Sequence, residues 1–177
     1  MEIFELIAAG DVEGVRDLLA RDPGQAATRD GQGVSALLQA RYRWNDALVE
    51  TIRAADPALD GFDAAAFGVL DRLGDPNAYS GDGFTALHLA AFFGQLEAAR
   101  ALIGRGADVG AVARNALKVQ PLHSAAAAGE REIAHLLLDA GADPNARQEG
   151  GFTPLTAAEQ NGDTALAALL REYGAED

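Results

Sequence analysis

The chain has no cysteine. That removes disulfides, thiolate zinc sites and cysteine nucleophiles from consideration. Positive charge is scarce: one lysine, Lys118, and 13 arginines stand against 27 acidic residues, for a formal net charge of −13. Such an excess repels phosphate backbones and anionic lipid surfaces, so neither a nucleic acid nor a membrane is expected as a partner. Aromatic side chains are few, 11 in 177 residues, while alanine supplies 39, so elements can approach closely and a single thick aromatic core is not expected. Nowhere do 18 apolar residues follow one another, which excludes an ordinary bilayer-spanning helix. Met1, Glu2, Ile3, Phe4 and Glu5 carry acid where a secretory leader carries base, so a cytoplasmic protein is expected.

What the chain does have is self-similarity, which decides a fold before any other signal. Thr85-Ala86-Leu87-His88-Leu89-Ala90-Ala91-Phe92-Phe93-Gly94 aligns with Gln120-Pro121-Leu122-His123-Ser124-Ala125-Ala126-Ala127-Ala128-Gly129, and both align with Thr153-Pro154-Leu155-Thr156-Ala157-Ala158-Glu159-Gln160-Asn161-Gly162. Each glycine is followed by an apolar run with i, i+3, i+4 spacing: Leu96, Ala99, Leu102 and Ile103; Ile133, Leu136 and Leu137; Ala165, Leu166, Leu169 and Leu170. That spacing predicts a second amphipathic helix after each first one. Gly106-Ala107-Asp108 and Gly141-Ala142-Asp143-Pro144-Asn145 close two of these runs, with glycine as the left-handed stop and Asp-Pro-Asn as the turn.

These segments resemble the ankyrin repeat, and residues 74–174 carry three units in register. Weaker matches continue upstream: Gly33-Val34-Ser35-Ala36-Leu37 with Leu48, Val49 and Ile52, residues 3–20, and Phe62 to Gly68 followed by barely one turn from Val69 to Leu73. The resemblance implies an all-α solenoid of about six helix pairs with short hairpin-like loops, its middle units degenerate. The expected organisation is one domain over 1–177, with units near 1–30, 31–60, 61–78, 79–111, 112–147 and 148–177. Thr85, Thr153 and Ser35 are expected to cap their helices, whereas Gln120 is a poor cap. Leu87, Leu122 and Leu155 are expected in the seam between units. Trp44 stands where the pattern has glycine; Asn45 is expected to take the left-handed conformation in its place, and the tryptophan either to pack over the shortened middle or to show itself in the groove.

The resemblance also implies a function: a non-catalytic module that binds another protein along its concave face. His88 and His123 would tie neighbouring units through backbone hydrogen bonds; a metal or general-base role is the competing reading. No Ser/His/Asp constellation, phosphate loop or metal-ligand spacing is present, so no catalytic residue, metal or cofactor is expected. Carried over position by position, the expected partner-binding residues are Tyr42 and Arg43; Tyr79, Asp82, Phe84, Phe92 and Phe93; Arg114, Leu117 and Val119; and Arg147, Glu149, Phe152, Glu159 and Gln160. A monomer is expected, the tail from Glu172 to Asp177 being too acidic for open-ended stacking. A self-associating array and an enzyme with an unrecognised site are the alternatives.

Overall fold

The computed structural model describes residues 2–176, so Met1 and Asp177, which entered the leader and tail readings, lie outside the described residues. Its contacts gather into two compact units, Met1–Leu59 and Asp60–Asp177.

In the first unit, α1 (Ile3–Ala9) and α2 (Val12–Arg21) form one couple, and α3 (Ala36–Tyr42) and α4 (Asp46–Arg53) form the next. The left-handed Gly10, at φ +71°, reverses the chain between α1 and α2. Side-chain caps start the later helices: Ser35 Oγ accepts the Leu38 N–H at 2.9 Å, and Asn45 Oδ1 accepts that of Leu48 at 3.1 Å. Helix α1 packs on α3 and α2 on α4, so like layers meet. Ile3, Leu6, Ile7, Val15, Leu37, Leu48 and Ile52 fill the space between the layers. A 3-10 turn over Pro23–Ala27 leads from α2 toward the next couple.

The second unit repeats this plan. An inner row consists of α5 (Gly61–Phe67), α6 (Ala86–Phe92), α8 (Pro121–Ala128) and α10 (Pro154–Gln160). The outer row is a single 3-10 turn at Leu70–Arg72, then α7 (Leu96–Gly104), α9 (Arg131–Asp139) and α11 (Thr164–Glu172). Each inner helix packs on the next inner one and on its own outer partner. No couple can hide its apolar stripe alone; the neighbour covers it, which is why the stripe recurs in every copy. Leu87, Leu122, Leu155, Leu102, Leu137 and Leu170 are all within the seam, each at most 2 % exposed. Ala90, Ala91, Ala125, Ala126 and Ala158 are wholly buried beside them, and their small size permits the close approach of the inner helices.

Caps fix the register. Thr85 Oγ1 accepts the His88 N–H at 3.5 Å and Thr153 Oγ1 that of Thr156 at 3.2 Å. Gln120 provides no such cap, and its Oε1 is buried with no hydrogen-bond partner. The connecting segments are hairpin-like, with isolated antiparallel bridges Arg29–Ser35 and Tyr79–Thr85 in place of strands among the described residues.

Candidate partner-binding site

Two histidines join the inner helices to the hairpins that follow them. His88 sits one turn into α6, where Nδ1 accepts the Thr85 backbone N–H at 3.2 Å. That nitrogen is therefore unprotonated, and Nε2 carries the hydrogen it donates to the Val119 carbonyl at 3.0 Å. His123 repeats the arrangement: Nδ1 takes the Gln120 N–H at 3.2 Å and Nε2 reaches the Phe152 carbonyl at 3.3 Å. Each ring thus ties its own helix start to the following hairpin, as the resemblance implied. Burial opposes the charged form of both, bringing His88 down to about 4 and lowering His123, although the bonds to Val119 and Phe152 pull the other way. With both nitrogens of each ring engaged, neither histidine is placed to act as a base. Among the described residues, no group of three or more His, Asp or Glu side chains could hold a metal ion.

Above this layer the hairpins are laced together. The Arg114 N–H donates to the Gly83 carbonyl at 2.8 Å, Asn115 Nδ2 to the Asp82 carbonyl at 2.9 Å, and the Tyr79 hydroxyl to the Val112 carbonyl at 3.2 Å. The Arg114 guanidinium lies 3.8 Å from the Tyr79 ring centroid, a stacked cation on a half-buried phenol. A side chain at Gly83 would bring Cβ to 2.7 Å from the Arg114 carbonyl carbon, and its φ is +88°, so glycine alone fits there. The following pair of hairpins shares the bond from the Glu149 N–H to the Leu117 carbonyl, at 3.0 Å.

The residues expected to face a partner divide by burial. Arg114, Leu117, Arg147, Glu149, Phe152, Glu159 and Gln160 are exposed, with Leu117 at 55 % and Phe152 at 45 %. Tyr79, Asp82, Phe84, Phe92 and Val119 are half-buried. Glu159 is paired with Arg171 at 2.6 Å, and Arg147 Nη1 donates to the Gly151 carbonyl at 3.1 Å, bracing its own turn. Tyr42 and Arg43 belong to the other unit, where Arg43 reaches the Ala8 carbonyl at 3.1 Å.

Two expectations are corrected. Phe93 is 5 % exposed and packs edge-on against Phe92, so it belongs to the core and offers nothing to a partner. Adjacent helical residues point about 100° apart, and the outward direction falls to Phe92. Trp44 itself adopts the left-handed conformation, at φ +54°, while Asn45 at φ −103° serves as the cap of α4. The cap bond needs Asn45 in an extended-type backbone, so the turn falls to its neighbour. The tryptophan is 60 % exposed and does not pack away; the Arg41 guanidinium lies 5.9 Å from its ring.

Three features add to what the sequence pattern shows. Lys118, at φ +53°, takes the place that Gly83 and Gly151 hold in the sister hairpins; the aligned position was the signal. Asn77 clamps the end of α7, with Nδ2 on the Gly106 carbonyl at 3.0 Å and Oδ1 on the Asp108 N–H at 2.8 Å. Asn145 does the same for Gly174 and Glu176, at 2.8 Å each. The repeated Asp-Pro-Asn announced this pair. Last, a pocket of about 220 Å³ opens between α8 and α10 over Ala127, Gln148, Phe152, Ala157 and Gln160. Gln148 was not among the expected site residues, because nothing in its spacing marks it.

The family model for ankyrin repeats (3 copies) matches residues 61–148 and again 113–177. The chain belongs to the ankyrin repeat family, whose members generally mediate protein–protein interactions and are typically not enzymes. No curated protein matches it. Among the described residues, no helix is long and apolar enough to cross a membrane.

Proposed function

We propose that this protein is a scaffold, adaptor or inhibitor that holds another protein on the inner-helix and hairpin face of residues 60–177. The observation that supports it best is the set of laced hairpins. Their backbones are fixed by inter-hairpin bonds, yet they present large apolar side chains to water, with Val112 at 44 %, Leu117 at 55 % and Phe152 at 45 % exposed. Rigid elements carrying exposed apolar anchors lose little entropy on binding, which is what an affinity-bearing surface requires. Tyr79, Asp82, Phe84, Phe92, Arg114, Val119, Arg147, Glu149, Glu159 and Gln160 are the further proposed contacts. In the other unit, Tyr42 and Arg43 are the proposed contacts, with Trp44 beside them.

The reading is tested by affinity capture with the wild-type chain and with a Leu117→Ser/Glu149→Lys variant. Both positions are exposed, so the variant should melt with the wild type. A stoichiometric partner retained by the first and lost by the second supports the proposal. Equal retention by both, or turnover of a substrate in an activity panel with no partner found, refutes it. Size-exclusion with light scattering is expected to show a monomer, since the outward positions of α11 are small or charged: Ala165, Ala168, Arg171 and Glu172.

A further inference from the structure

The inner helices of the second unit are almost uncharged. Across α6, α8 and α10 a single ionised residue occurs, Glu159, and Arg171 holds it. In a chain with 41 charged residues, the ionised groups lie elsewhere. Within this neutral strip lies the 220 Å³ pocket, which by liquid volume equals about seven water molecules, room for one side chain of a partner. Ala127 and Ala157 line it with methyl groups, Phe152 supplies an exposed ring, and His123 is there as a neutral imidazole already committed to the Phe152 carbonyl.

Thr153, whose hydroxyl is already bonded to that of Thr156 at 3.0 Å, and two carboxamides, Gln148 and Gln160, complete the lining. Among the described residues, neither side-chain amide has a hydrogen-bond partner. Each offers one acceptor oxygen and an NH₂ donor. Two such groups together complement one peptide unit, which needs a partner for its N–H and another for its C=O. A helix has already used those groups internally, whereas an extended segment has them free. A charged side chain lowered onto Ala127, Ala157 and Phe152 would find no Asp, Glu, Lys or Arg in the lining and would lose its hydration.

Resting on the interaction-module reading above, we propose that this pocket takes an uncharged, extended peptide segment of the partner. Gln148 and Gln160 bind the backbone amide, and an apolar side chain of the segment fills the space over Ala127, Ala157 and Phe152.

The minimal probe is N-acetyl-leucine N-methylamide, titrated into the ¹⁵N-labelled full chain. Saturable shifts are expected at Gln148, Phe152, Ala157 and Gln160, including both side-chain NH₂ signals. The glutamate analogue should give none, and the leucine analogue methylated on its backbone nitrogens should bind more weakly. Gln148→Ala and Gln160→Ala should each weaken the probe about fivefold, one net hydrogen bond's worth. Ala157→Leu, which fills the pocket, should abolish binding; if it disturbs folding, the glutamine variants carry the test. Absent or non-saturable shifts, shifts elsewhere, or an equal response to the glutamate analogue would overturn the proposal. A partner captured by wild type but lost on Leu117→Ser/Glu149→Lys, and indifferent to Gln148→Ala and Gln160→Ala, would leave the module reading intact and remove this one.

Discussion

Acidification should loosen the second unit through its buried histidines, and His88 gives the size of the effect. Its ring is 1 % exposed, between α6 and the next hairpin, and its pKa falls from 6.5 to about 4. The cause is burial first, with the charge of His123 adding to it against the Val119 bond. In the unfolded chain the same ring takes a proton near 6.5. Below that pH the unfolded state binds more protons than the folded one, so stability drains away as pH falls from about 6.5 toward 4. At about 1.4 kcal/mol per pH unit, the full loss is about 3 kcal/mol. Geometry points the same way: protonation at Nδ1 would set one N–H against the N–H of Thr85. His123 adds to the effect in the same direction. Urea unfolding at pH 7 and pH 4.5 measures it, with His88→Gln as a non-titrating reference, because the carboxylates titrate alike in both proteins. The wild type is expected to lose roughly 2 kcal/mol more than the variant across that interval. Parallel losses, or an NMR titration placing His88 near 6.5, would refute the account of burial and tautomer together.

Other outcomes follow from single contacts. Leu122→Ala empties a fully buried place in the seam and should cost about 2–5 kcal/mol in chemical denaturation. Gln120→Thr should raise the stability of the chain by about 1 kcal/mol, because it supplies the missing cap of α8 and removes a buried unpartnered oxygen. Gly83→Ala should destabilise by at least about 1 kcal/mol, since a Cβ there meets the Arg114 backbone at φ +88°. Trp44→Gly should stabilise the first unit by about 1 kcal/mol by relieving a left-handed backbone, visible as a later urea midpoint.

The helical couples were legible because burial writes a period into the sequence. Leu96 to Leu102 and Ile133 to Leu137 had to recur at helical spacing for each couple to cover the last. The shortened third copy was legible for the complementary reason: after Gly68 too few apolar positions remain before Asp75 to make more than a turn. At Trp44 sterics alone, a preference of about 1–2 kcal/mol, put the left-handed turn on the next residue. The cap that Asn45 gives α4 outweighs it, and that bond exists only in three dimensions. At Phe92 and Phe93 composition does not tell two adjacent aromatics apart; which one turns inward depends on the neighbouring couple. Gln148 and the pocket depend on how far α8 and α10 stand apart, which no local pattern encodes.

The solitary lysine has a practical consequence. Apart from the α-amine at the start of the chain, amine-directed chemistry has one address, and it is the exposed, left-handed tip at position 118, beside Leu117 and one bond away from Glu149. A fluorophore attached there by an ordinary active ester would report from the edge of the proposed contact zone without any engineered cysteine.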